Sequence, residues 1–132
     1  LRLHNEKDEI NVVSDQIGGP TTTLSLARSI WKLIEQDING FITEDLLHWS
    51  DAGAASWYDI AVAVGEIGNK LGLIKEKAII NPISTKDFYT KAKRPSYSLL
   101  DCFNSQKSLG IKPLHWQESL EEMLLFHSKI IG

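Results

Sequence analysis

INVVSDQIGGPTTTLSLARSIWKLI, residues 10–34, is the stretch on which the fold class of this 132-residue chain turns. Ile10-Asn11-Val12-Val13-Ser14 is rich in β-branched residues and reads as a short strand. Asp15 to Thr23 then brings Gly18, Gly19, Pro20 and three threonines, which is loop chemistry. Ala27, Ile30, Trp31 and Ile34 follow at i, i+3, i+4 and i+7, so they share one apolar helix face. Thr21, Thr22 and Thr23 are N-cap candidates, because a threonine hydroxyl can accept from a free backbone N–H of the first turn. Asn39-Gly40 closes the unit. A strand that feeds a helix through a glycine-rich loop is the repeating step of an α/β fold.

The remainder of the chain continues the alternation. Leu46-Leu47-His48-Trp49 is a brief apolar run and reads as a buried strand, and Asp51-Ala52-Gly53 turns the chain. Ser56 with Asp59 three residues on is a carboxylate form of the capping box. The helix that it opens carries the stripe Trp57, Ile60, Ala61, Val64, Ile67 and Leu71, with Gly72 as the residue after its end. Residues 78–83 read as a strand that Pro82 confines to an edge or a terminus. Residues 84–98 are polar and basic, a loop with one helical turn near Thr85–Tyr89. Leu99-Leu100-Asp101 reads as a short strand, and Asn104 to Leu109 as a short helix closed by Gly110. A last helix spans about residues 117–129, with Leu120, Met123, Leu124 and His127 on its inner face. The expected architecture is α/β with few short strands and about four helices. A compact parallel sheet has about five or six strands, so this sheet reads as incomplete. The chain also starts at Leu1 and not at methionine, and both features point to a piece of a longer protein.

Composition narrows the function. The chain is 42% hydrophobic and 23% charged, sufficient for one real core and not for two domains. Its net charge of −3 argues against a general nucleic-acid binder, which needs a basic face. No apolar run approaches ~18 residues, so no membrane partner is expected. The charged N-terminus does not read as a secretory signal, and a cytoplasmic location is expected. Cys102 is the sole cysteine, so neither an intramolecular disulfide nor a CxxC site can form, and it reads as a buried structural residue.

Few residues carry chemistry by spacing alone. His4, His48, His115 and His127 are far apart and make no metal-ligand pattern. Gly18-Gly19-Pro20 lacks the Lys-Ser/Thr of a phosphate loop and the spacing of a dinucleotide fingerprint. Tyr89 and Lys93 match the Tyr-x-x-x-Lys spacing only formally, within a loop. No catalytic and no metal residues are therefore assigned. Trp31, Trp49, Trp57 and Trp116 are expected to anchor the core. Between Lys86 and Arg94 stand four cations, Lys86, Lys91, Lys93 and Arg94, against Asp87 alone. That is either a solvated loop or an anion site. Arg94 precedes Pro95, whose ring restricts it, and a restrained guanidinium suits a diphosphate.

Three segments, taken together, resemble the dTDP-4-dehydrorhamnose reductases. Val12-Val13-Ser14-Asp15-Gln16-Ile17-Gly18-Gly19-Pro20-Thr21 resembles their V-V-x-D-Q-x-G-x-P-T segment. Leu47 to Gly53, followed by Ser56-Trp57-Tyr58-Asp59, resembles their strand-turn-helix segment. Arg94-Pro95 with Ser98, Leu100 and Asp101, then Trp116 and Leu120, resembles their R-P-x-x-S-x-L-D…W…L ending. The order and gaps agree over about residues 8–127. The resemblance implies the C-terminal, substrate-binding part of an NAD(P)-binding, Rossmann-type extended short-chain dehydrogenase/reductase. Residues 1–132 would be that portion, and the N-terminal cofactor-binding domain would be its missing partner. The family reduces a dTDP-4-keto sugar with NADPH or NADH, on a Tyr-x-x-x-Lys pair upstream of the part matched. Gln16, Gly18, Thr21, Arg94 and Ser98 are the substrate-binding residues that the resemblance implies, with Arg94 on the diphosphate. It further implies a homodimer and, in some members, Mg²⁺ at a subunit interface, for which no ligands are assigned. Two alternatives stay open here: a non-catalytic relative, like the regulatory subunit of methionine adenosyltransferase, and a stand-alone binding module. An upstream sequence without Tyr-x-x-x-Lys would favour the first, and a cooperative, monodisperse fold of this chain the second.

Overall fold

Two strands and the two helices between them organise the chain. The computed structural model describes every residue except Thr43 and Gly132. A short helix, α1 (Arg2–Glu6), precedes β1 (Glu9–Val13) and the two-residue strand β2 (Ile17–Gly18). Helix α2 (Thr23–Ile38), strand β3 (Ala55–Ser56) and helix α3 (Trp57–Lys70) follow. Then come β4 (Ile79–Ile83), a 3₁₀ turn (Thr85–Asp87), β5 (Tyr97–Ser98), α4 (Phe103–Leu109) and α5 (Trp116–Ile131). The architecture is α/β with few strands, as expected. The described residues hold five α-helices and not four, because α1 is too short to show a period.

β1 and β4 lie parallel, from Glu9 beside Ile79 to Val13 beside Ile83. Both are edges, which accommodates Pro82 without a lost ladder bond in a third strand. A second sheet runs β3-β2-β5, with β2 antiparallel to β3 and parallel to β5. The strand expected at 99–101 therefore lies two residues earlier. The strand expected at Leu46–Trp49 does not form: that stretch is irregular, with Leu46 and His48 exposed. It is tied down by polar groups, with the His48 N–H donating to Ser105 Oγ at 2.8 Å.

The core sits between α3 and α5. Ala55, Ala63, Trp116, Leu120 and Leu124 are buried together, and Ile60, Val64, Ile67, Leu71 and Met123 pack against them. The α3 capping box is present: Ser56 Oγ accepts from Asp59 N at 3.1 Å, and Asp59 Oδ2 accepts from Ser56 N at 2.8 Å. Small residues let α1 press onto α3. A Cβ on Gly65 would lie 2.6 Å from His4 Cε1, and His4 Nε2 lies 3.0 Å from the Ala61 carbonyl.

Helix α2 departs from expectation. Its N-cap is Thr22, which accepts from Ser25 N at 3.2 Å. Yet the apolar face is outward: Ile30 and Ile34 are exposed, Trp31 is 71% exposed, and the buried residue is Ser29. Of the four tryptophans, Trp116 alone is buried, at 6% exposure. His127, expected on the inner face of α5, is exposed. Cys102 is buried, as expected.

Candidate functional site

The loops that leave β1 and β4 come together beyond the ends of these parallel strands. There they enclose a cleft of about 370 Å³. One wall is Gln16 to Pro20, the other is Arg94, Pro95 and Ser98, and Trp57 with Ala55 and Ile60 forms the floor. β2 is the middle strand here, so its backbone is committed on both edges. The approach to β5 is close: Ser98 Oγ donates to Ile17 O at 3.3 Å, and a Cβ on Gly18 would lie 3.0 Å from Ser98 Oγ. Glycine at 18 is thus what lets the two walls meet.

Arg94 is the cation of the cleft. Its Cζ lies 6.0 Å from the ring centre of Trp57, a cation–π distance. Trp57 is half exposed there, at the first position of α3. It is a floor for the cleft and not the core anchor expected of it. Among the described residues Arg94 has no carboxylate partner, so its N–H groups remain available to an anion. A second, more apolar basin of about 320 Å³ continues the cleft past Arg94, Trp57 and Gln16 to Phe88, Thr90 and Val13.

The expected site residues divide cleanly. Gln16, Gly18, Arg94 and Ser98 line the one cleft. Thr21 does not: its hydroxyl donates to Gly19 O at 3.2 Å and accepts from Asp51 N at 3.2 Å. It holds the wall from behind. Asp51, 2% exposed, completes that support by accepting from Thr22 N at 3.2 Å and from the Ser25 hydroxyl. Asp101 likewise shapes its loop, accepting from Phe103 N at 2.9 Å at the start of α4. Tyr89 and Lys93 sit on an exposed loop and not on one helix.

Sequence reasoning carried Asp15 only as part of the first segment and did not find Thr85 or its link to Asp15. Asp15 receives the Thr85 backbone N–H at 2.9 and 3.0 Å on its two oxygens, and the Thr85 hydroxyl at 2.6 Å. That hydroxyl, and then the backbone N–H, hold the Asp15 carboxyl below the usual carboxylate range. These residues lie 70 positions apart and become neighbours only when β1 pairs with β4. No group of three or more metal-ligating side chains occurs among the described residues, and no described helix is long and apolar enough to cross a membrane.

Known proteins share this fold. A model of the RmlD substrate binding domain matches residues 1–127. The chain is 39% identical over 124 residues to the spore coat polysaccharide biosynthesis protein SpsK of Bacillus subtilis, covering 94% of this chain and 39% of that one. It is 35% identical to the dTDP-4-dehydrorhamnose reductase of Aggregatibacter actinomycetemcomitans, covering 93% of this chain and 42% of that protein. Among solved structures, the dTDP-4-dehydrorhamnose reductase of Bacillus anthracis in complex with NADP superposes with a TM-score of 0.80 at 33% identity, over 94% of this chain and 40% of that one. The chain therefore spans about two fifths of the length of the relatives that it matches. On the family match, the relatives and the shared fold together, the chain belongs to the RmlD substrate binding domain family.

Proposed function

We propose that this chain is the nucleotide-sugar-binding part of an NAD(P)H-dependent dTDP-4-dehydrorhamnose reductase. Its share in converting dTDP-4-dehydro-L-rhamnose to dTDP-L-rhamnose is to grip the diphosphate and orient the sugar. The observation that carries this reading is Arg94, a guanidinium without a carboxylate partner among the described residues, seated on Trp57 at a cleft with an apolar floor. Such a pair offers charge to the diphosphate and a flat surface to a ring. Positioning of this kind lowers a barrier by removing rotational and translational freedom before the reaction. The reductase names of the relatives favour this reading over a regulatory subunit.

The residues of the chain do not fit a nicotinamide cofactor. Gly18 is bound into β2 on both edges, and no dinucleotide fingerprint is present. In this reading the cofactor and the proton donor belong to sequence outside this chain, which is its first partner. A homodimer and a cytoplasmic location are part of the same proposal.

Calorimetry with thymidine diphosphate tests it. The chain should bind, and Arg94→Ala should weaken binding about 10- to 100-fold, as expected for a charged hydrogen-bonding group. The chain alone should not oxidise NADPH in the presence of the dTDP-4-keto sugar. Binding that is indifferent to Arg94, or substrate-dependent NADPH oxidation by the 132 residues, would sink the reading.

A further inference from the structure

Thr85 joins the two loops of the cleft through a hydrogen-bond relay with a fixed direction. A threonine hydroxyl has one proton, and Thr85 Oγ1 donates it to Asp15 Oδ1 at 2.6 Å. The same oxygen accepts from Gln16 Nε2 at 3.0 Å. A carboxylate only accepts, so donation runs from Gln16 to Thr85 to Asp15. A glutamine amide turned over by 180° keeps its shape and exchanges its donor and acceptor ends. Turned over here, Oε1 would face a hydroxyl whose proton is already committed, and two acceptors would repel. The relay therefore decides which end of Gln16 faces Thr85. The Oε1 end has no hydrogen-bond partner among the described residues, although Gln16 is only 9% exposed. Gln16, Trp57 and Arg94 are the residues that line both basins.

We propose that Thr85 is a positioning residue for ligand recognition: through Asp15 it orients Gln16 so that an acceptor, Oε1, is offered where the two basins join. The ligand group recognised there is a hydrogen-bond donor, a sugar hydroxyl or the imide N–H of a pyrimidine, beside an anionic group on Arg94. This inference rests on the nucleotide-sugar reading of the cleft. Thr85→Val is the sharp probe, because it keeps the β-branched shape and the backbone N–H bonds to Asp15 and removes only the hydroxyl.

The experiment is calorimetric titration of thymidine diphosphate into the protein carrying this chain, with melting temperatures as the control for folding. Thr85→Val should weaken binding about 5- to 10-fold, the worth of one well-placed hydrogen bond. Thr85→Ser should restore it. In a Gln16→Ala background Thr85→Val should add less than about two-fold, because the two act as one unit. Should Thr85→Val fail to fold, Thr85→Ala removes the same hydroxyl and is read in the same way. A serine that does not restore binding, or a full further loss in the double variant, overturns the inference. Wild-type binding with Thr85→Val unchanged overturns it alone. A folded wild type that does not bind thymidine diphosphate overturns the nucleotide-sugar reading and this inference together.

Discussion

Helices α2 and α3 carry equally clear apolar stripes in sequence, and the fold treats them in opposite ways. On α3, Ile60, Val64, Ile67 and Leu71 pack against α5 around Leu120 and Leu124. On α2, the row Leu26, Ile30, Ile34 and Ile38, with Trp31 beside it, is exposed, and the side turned inward is centred on Ser29. What fastens α2 is polar. Asp51 accepts from Thr22 N and Ser25 at its first turn, and Arg28 reaches Glu122 of α5 at 2.7 Å. A stripe at helical spacing thus shows that a helix has an apolar side. It does not show which element covers that side.

The largest effect belongs to the α3–α5 seam. Leu124 is buried at its centre. Leu124→Ala should cost about 2–5 kcal/mol of unfolding free energy, through lost burial and the cavity left behind. Chemical denaturation measures it. A cost under about 1 kcal/mol would mean that the seam closes on the gap, as loosely packed surface helices do.

An intermediate effect is expected at the polar anchor of α2. Asp51→Ala removes the acceptor of a backbone N–H and of a hydroxyl in a buried setting. That should cost about 1–3 kcal/mol, read from the same denaturation curves. It should exceed any apolar truncation on the outer face of α2. The reverse ranking would break the comparison, because α2 would then depend on its stripe after all.

These two helices also mark what sequence can and cannot reveal. The Ser56–Asp59 cap and the Gly110 stop rest on contacts within a few residues, β1 and β4 are marked by their local composition although they pair across 70 positions, and each is present. The spelling of two segments marked Gln16, Gly18, Arg94 and Ser98 as expected site residues, and the fold brings them to one cleft. Thr21 shares the first segment, yet its hydroxyl serves the wall and not the cleft. Nothing local distinguishes a threonine that lines a cleft from one that braces it. The Asp15–Thr85 relay was invisible for a related reason: its members meet only through strand pairing, across 70 residues. The run at Leu46–Trp49 misled because brief apolar segments carry no period. Polar tethers hold it in place of a sheet.

The smallest effect should come from the outer face of α2. Trp31→Ser and Ile38→Ser remove side chains that are mostly in water, so each should change stability by no more than about 0.5 kcal/mol. The indole of Trp31 makes this a demanding test, since the same deletion at a buried site such as Trp116 falls in the range of about 3–5 kcal/mol. The measurement is the unfolding free energy at two protein concentrations. Near-zero values at both would sharpen the contrast, leaving α3 as the packed helix and α2 as the helix held by its cap. A loss of several kcal/mol that grows with concentration would place another surface over the stripe in solution. In that case the two helices would differ only in whether their covering comes from within the chain.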